Sequence, residues 1–218
     1  MNYAIIPAAG TGTRFGGQVK KQFLELKGRS LLEWVLDEFV ESGVFSKIVV
    51  CTHLNEVSDR LKSFGVDFIE GGATRFESIK KGFEFLSPQT DDIILIHDAA
   101  RPVITKELIK QVAQRTSELG AVIPVTALHD TIKEVNGTQV VRTIDRSILK
   151  AVQTPQGFKA AYLSAVYDSA RGDLSRYTDE AKALEELGLN VYTVPGDAKN
   201  IKVTTAEDLK LAEFYLDN

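Results

Sequence analysis

Residues 3–17 read Tyr3-Ala4-Ile5-Ile6-Pro7-Ala8-Ala9-Gly10-Thr11-Gly12-Thr13-Arg14-Phe15-Gly16-Gly17. An apolar run suited to a buried strand passes directly into a loop where four glycines let the backbone turn its N–H groups toward an anion. From Gly10 to Ser30, five basic residues (Arg14, Lys20, Lys21, Lys27 and Arg29) stand against one acid, Glu25, in a chain whose formal net charge is -4. That local excess makes phosphate the natural guest, although a Gly-x-Gly motif alone also describes a solvated surface loop. A nucleotide-hydrolase P-loop is excluded because no Gly-Lys-Ser/Thr follows the glycines. A dinucleotide fingerprint would need glycine or alanine at Phe15 and a helix at once, whereas this loop runs on for a dozen residues.

Working outward, short apolar runs alternate with segments of helical period, which predicts an α/β fold with a mostly parallel sheet. Strands are expected over residues 3–7, 47–52, 67–70, 93–97 and 121–125. Helices are expected over about 56–63, 75–86, 106–119, 160–170, 179–187 and 206–216. Another helix starts at Ser30, where Glu33 completes a capping box, Leu32, Val35, Leu36 and Phe39 form the buried stripe, and Gly43 stops it. The pattern breaks at TIKEV and TQVVRTI, which flank Asn136-Gly137, a pair tolerant of positive φ and therefore a hairpin signal. A β-arm over about 131–144 would expose Ile132, Val135, Val140 and Ile144, and a dimer partner is the simplest cover.

The chain has 218 residues, 44% hydrophobic and 26% charged, enough for one large globular domain and a substantial core. With 26 basic residues against 30 acids there is no global basic field for polymeric nucleic acid. The single cysteine, Cys51, and three scattered histidines build neither a disulfide nor a four-ligand zinc site, which fits a reducing, cytoplasmic setting. Residues 1–10 show no basic leader, and nowhere do about 18 apolar residues run together, so neither a signal peptide nor a membrane span is expected. Cys51 reads as core, His97 as packing, and His53 and His129 take no role.

Three further motifs could carry chemistry. In HDAARP, at the end of an apolar strand, Asp98 could hold Mg2+ and Arg101 could pair with phosphate; alone, they also read as a turn cap and an ion pair. In GGATRFES, Gly71 and Gly72 leave a strand and Ser78 lies in a helix's first turn. In AKNIKVT, Lys202 precedes a capping box expected from Thr204 to Glu207.

Taken in order, PAAGTGTR, KKQF, GGATRFES, HDAARP, DTIK, IDR, QTPQGF, TDEA and NIKVT make the chain resemble the 2-C-methyl-D-erythritol 4-phosphate cytidylyltransferases of the non-mevalonate isoprenoid pathway, from Tyr3 to about Leu216. The resemblance implies a Rossmann-like nucleotidyltransferase fold comprising the whole of 1–218, with a β-arm at about 131–150 crossing a homodimer interface. It implies reaction of CTP with methylerythritol 4-phosphate, with Mg2+ or another divalent cation present. Carried over residue by residue, Arg14 and Lys21 act on the triphosphate, and Ala8, Ala9, Gly10, Gly12, Gly71, Gly72, Ser78 and Arg101 serve the nucleotide. Asp98, Thr131, Arg146 and Lys202 serve the acceptor, Thr131 and Arg146 from the opposite subunit, and Asp98 is also a candidate Mg2+ ligand together with triphosphate oxygens.

Two departures stand out: Lys20 where the family has proline, able to compete for the same phosphates, and Lys150 where many relatives carry tryptophan. The rival acceptor is ribitol 5-phosphate, whose enzymes tend to read HDSVRP where this chain has Ala99-Ala100. A dinucleotide-dependent oxidoreductase is disfavoured by Phe15, and a non-catalytic nucleotide-binding module would bind CTP without releasing pyrophosphate.

Overall fold

The computed structural model describes residues 1–10, 20–169 and 177–217. Its centre is β1 (Asn2–Pro7), which pairs in parallel with β4 (Lys47–Thr52) on one side and β6 (Ile93–Ile96) on the other. β5 (Asp67–Glu70) extends the sheet beyond β4, again in parallel. Beyond β6, β11 (Gln156–Lys159) runs antiparallel between β6 and β7 (Ala121–Ala127), β10 (Lys150–Val152) lies antiparallel on β7, and β12 (Tyr192–Pro195) pairs with β7 in parallel. The sheet is thus mostly parallel, and its antiparallel part brings residues 150–159 back beside β6.

Because side chains alternate along a strand, β1 feeds two cores. Ala4 and Ile6 pack with Leu32, Val35, Leu36 and Phe39 of α1 (Leu31–Glu41) and with Ile109 and Val112 of α4 (Lys106–Leu119). Tyr3 and Ile5 pack on the opposite face with Phe76 and Ile79 of α3 (Arg75–Leu86), Leu163 of α5 (Ala160–Ser169) and Leu184 of α6 (Glu180–Glu186). Cys51 lies in this second core, where burial pushes its thiol up to about 12, so it is an inert apolar side chain. α1 starts at the expected box, Ser30 Oγ accepting from the Glu33 amide and Glu33 returning the bond, and Gly43 beyond its end has φ +66°.

Several boundaries differ from expectation. The segment near 56–63 is a 3-10 turn, Leu54–Glu56, followed by a one-turn α2 (Asp59–Lys62), because Ser58 caps the backbone there. Before α7 (Ala206–Asp217) the reciprocal box joins Thr205 to Asp208, one residue beyond the expected Thr204–Glu207 pair; Asp208 also accepts from both the amide and hydroxyl of Thr204. β10, β11, β12 and a small ribbon, β2 (Glu25–Leu26) with β3 (Arg29–Ser30), have no counterpart in the sequence reading. They are two to four residues long, too short for periodicity to register.

The arm is present as β8 (Ile132–Asn136) and β9 (Gln139–Ile144), turning at Gly137 with φ +58° and paired only with each other. Arg142 pairs with Glu134 across it, while Val135, Val140 and Val141 are more than half exposed. No helix among the described residues is long and apolar enough to cross a membrane.

Candidate active site

The loops leaving β1, β5 and β6 at their C-terminal ends enclose a cavity of about 350 Å³, the place where open α/β sheets bind ligands. Ala8, Ala9 and Gly10 form its floor, Gly72, Ala73 and Thr74 one wall, and Asp98, Ala99 and Ala100 another, with Lys21 and Lys202 reaching its lining. Gln22 anchors the return of the glycine loop: its buried Nε2 donates to Ala8 O at 2.5 Å and Gly10 O at 3.2 Å. That bond places the neighbouring Lys21 beside the floor. Lys20 turns the other way and pairs with Glu56 at 2.6 Å, so it does not join the cavity as a competing phosphate ligand. Gly12 and Arg14 lie outside the described residues.

Glycine is required at 71 by space. A Cβ there would meet the Ala9 Cβ at 2.3 Å, so Gly71 lets the β5 loop close against the cavity floor without itself lining it. Ser78 lines the cavity, yet its hydroxyl serves the loop, accepting from the Gly72 amide at 2.9 Å and donating to Thr74 O at 2.9 Å.

Asp98 is the charged centre. It is 9% exposed, with Lys202 Nζ at 2.7 Å from Oδ2, Arg75 Nε at 3.2 Å from Oδ1 and Arg101 Nε at 3.9 Å. Burial alone would raise its pKa; Arg75, Lys202 and Arg101 reverse this and hold the carboxyl well below the usual range. The Asp98 amide donates to Thr154 Oγ1 at 3.1 Å, and that hydroxyl is 3.0 Å from His97 Nδ1. Since His97 Nε2 faces the Arg101 carbonyl, which only accepts, the proton sits on Nε2 and the Thr154 hydroxyl donates to Nδ1. His97 is therefore a buried, neutral spacer, as its placement at the strand end suggests.

A second cavity of about 160 Å³ lies behind Asp98, lined by Arg101, Gln153, Thr154, Thr178 and Asp179, and shares Arg75, Asp98 and Lys202 with the first. Arg101 belongs to this side only: its Nη1 donates to Asn200 O at 2.8 Å, so its guanidinium braces the segment carrying Lys202. Thr131 is exposed at the foot of the arm, and Arg146, in the 3-10 turn Arg146–Ile148, donates to His129 O. Neither lines either of these two cavities. Lys150 is exposed on β10.

Several residues escaped the sequence reading. Arg75 lines both cavities and pairs with Asp98 and, at 2.8 Å through Nη1, with the fully buried Glu180. Its signal was available, since it sits inside GGATRFES at the first turn of α3. Gln22, Thr154 and Asn200 act through backbone bonds that no spacing rule reveals.

The donor set does not fit a protein-held Mg2+. Among the described residues no three His, Cys, Asp or Glu side chains come together to hold a metal, and both Asp98 oxygens already face cations. A further cation there would meet Arg75, Lys202 and Arg101, so the expected Asp98 ligation has no support in this geometry.

The chain matches the family model for IspD, 2-C-methyl-D-erythritol 4-phosphate cytidylyltransferase, over residues 2–218. The enzyme of that name from Bacillus cytotoxicus is 38% identical, covering 97% of this chain and 96% of its own length. The one from Geobacillus kaustophilus is 38% identical over 99% and 97%. The crystal structure of the Francisella tularensis enzyme superposes with a TM-score of 0.83 at 32% identity, over 98% of this chain and 99% of that one, so the architecture is the Rossmann-like nucleotidyltransferase fold. The family match, the sequence identity and the superposition each extend over essentially the whole length, and the chain belongs to the 2-C-methyl-D-erythritol 4-phosphate cytidylyltransferase family.

Proposed function

We infer that this enzyme transfers the CMP moiety of CTP to 2-C-methyl-D-erythritol 4-phosphate, giving 4-diphosphocytidyl-2-C-methyl-D-erythritol and pyrophosphate in isoprenoid biosynthesis. The observation that carries the reading is the pair of cavities sharing one charged wall, Arg75, Asp98 and Lys202. Two phosphorylated substrates repel each other, and a shared cationic partition lets both approach one reacting phosphorus.

The nucleotide fits the larger cavity, its base and ribose against Ala8, Ala9, Gly10, Gly72 and Ser78, with Gly71 allowing the loop to close. An oxygen of the acceptor's phosphate attacks the α-phosphorus in line; the new P–O bond forms as the bond to the β-phosphate breaks and pyrophosphate departs. No covalent enzyme intermediate is required. Lys21 and, from the glycine loop, Arg14 neutralise the α-phosphoryl and leaving oxygens. Lys202 leaves Asp98 for the acceptor phosphate, and Asp98 then offers its carboxylate to acceptor hydroxyls. Arg101 supports Lys202 from behind rather than reaching the triphosphate. Any divalent cation the reaction uses would ride on the triphosphate oxygens, because the described residues offer no cage for it.

The apolar, self-paired arm supports a homodimer in which Thr131 and Arg146 reach the opposite site. We read the chain as one catalytic domain with that arm inserted at about 131–150, working in the cytoplasm. The test is pyrophosphate release from CTP with methylerythritol 4-phosphate, beside ribitol 5-phosphate, no acceptor, and ATP, GTP or UTP as donors. Release with CTP and methylerythritol 4-phosphate is expected; preference for ribitol 5-phosphate would overturn the acceptor, and silence with every pair would overturn the reaction.

A further inference from the structure

We propose that Arg75, anchored on the buried Glu180, is a positioning residue that holds the Asp98 carboxylate at the junction of the two cavities and thereby sets acceptor binding. The proposal rests on the reaction assigned above. Three residues line both cavities, and Arg75 is the one that joins the other elements around them. It is the first residue of α3, whose start is fixed by a reciprocal capping box between Thr74 and Glu77, so the side chain leaves a defined point on the nucleotide loop. From there Nε reaches Asp98 Oδ1 at 3.2 Å and Nη1 reaches Glu180 Oε2 at 2.8 Å.

A guanidinium is a rigid planar fork, so fixing one prong aims the other. Glu180 does the fixing. It is wholly buried as the first residue of α6, and Asp179 before it caps that helix while accepting from Gln156 Nε2 at 2.8 Å. A buried carboxylate is costly, and Glu180 Oε1 has no hydrogen-bond partner among the described residues, so this side chain is poorly explained by stability alone. Its evident work is to keep Arg75 turned toward Asp98. Without that anchor, Arg75 lines a cavity suited to a triphosphate and would swing to it, leaving Asp98 held by Lys202, which the acceptor phosphate must draw away, and by the more distant Arg101 at 3.9 Å.

The experiment compares wild type with E180Q, R75K and the charge-free pair R75Q/E180Q, measuring steady-state kinetics in both substrates, acceptor binding by calorimetry, and thermal unfolding. In E180Q and R75K the acceptor KM and dissociation constant should rise about 10-fold, well beyond any change in the CTP KM. R75K keeps a positive charge but lacks the rigid planar fork that fixes the direction of both carboxylates. The double variant removes the buried charges together, so it should unfold near the wild-type temperature and still bind acceptor weakly. Unchanged acceptor affinity in folded E180Q and R75K, or recovery of acceptor affinity in the double variant, would overturn the proposal. Wild-type pyrophosphate release reports separately on the reaction, and calorimetry reports on Arg75 whether or not turnover is seen.

Discussion

Lys202 Nζ lies 2.7 Å from Asp98 Oδ2, joining residues 104 positions apart across the wall between the two cavities. The lysine is 39% exposed while the carboxylate is buried, so the cation is the mobile member of the pair. On the proposed function, Asp98 stores Lys202 at the place where an acceptor phosphate would arrive. Replacing Lys202 with methionine keeps the stem and removes the charge; kcat/KM for the acceptor should fall about 10²-fold or more. CTP binding measured by calorimetry should change little, and an equal loss for both substrates would place Lys202 on the nucleotide instead.

Lys21 and Lys20 are adjacent but diverge, one to the cavity and the other to Glu56. Lys21→Ala should lower kcat by about 10²-fold or more with the fold intact by circular dichroism. Lys20→Ala loses a partly exposed ion pair, worth about 0–1 kcal/mol, and should leave kcat within a few-fold. If Lys20→Ala were the more damaging change, the assignment of the phosphate lysine would move by one residue.

Gly71 tests the close approach of two loops. Alanine there places a Cβ 2.3 Å from that of Ala9, and neither backbone can give way without opening the nucleotide floor. We expect a stability loss of about 1–3 kcal/mol in urea unfolding together with a raised CTP KM. A wild-type CTP KM in Gly71→Ala would show that the floor is not in contact with nucleotide.

Much of this was legible in the chain. The β1 run, the Ser30–Glu33 box and the Asn136-Gly137 turn are local signals, each written in adjacent residues, and all three lie where their chemistry puts them. The Arg75–Glu180 pair was not legible, because 105 residues separate its members and only the packing of α6 beside α3 brings them together. β11 was missed for a related reason. Its four residues, Gln156–Lys159, gain strand geometry from insertion between β6 and β7 rather than from their own pattern. Asp98 was expected from HDAARP as a site residue, but the three cations around it, Arg75, Arg101 and Lys202, come from other positions, and they decide whether it suits a metal.

His97 links the site to pH. Burial pushes its imidazole down to about 4, with the Asp98 charge and the bond to the Arg101 carbonyl raising it, and the Arg101 charge lowering it, by smaller amounts. The unfolded chain takes a proton near 6.5, so between about 6.5 and about 4 the unfolded state binds more protons and stability falls as pH falls. Above that window the full stability is present; below it both states are protonated and the slope vanishes. The shift corresponds to roughly 3 kcal/mol. Urea unfolding of wild type and His97→Gln at pH 7, 5.5 and 4.5 should show a shallower decline in the variant, and parallel curves would mean His97 is not buried neutral.

The arm carries the last prediction. Val135 and Val140 are cross-strand partners on one face and more than half exposed, an apolar surface that water covers poorly unless a second chain does. Thr131 and Arg146 stand beside it and line neither of the two cavities, and in the proposed two-fold dimer they would serve the opposite site. Val140→Asp should shift sedimentation toward monomer and remove activity together. The sharper test mixes two inactive variants, Arg146→Ala and Lys202→Ala, after dissociation and reassociation. If Arg146 serves the opposite subunit, each mixed dimer contains one complete site, built from the Lys202 of one chain and the Arg146 of the other. Random reassociation makes half the dimers mixed, so activity should return to roughly a quarter of wild type. If Arg146 served its own subunit, every site in the mixture would lack one residue and none would turn over.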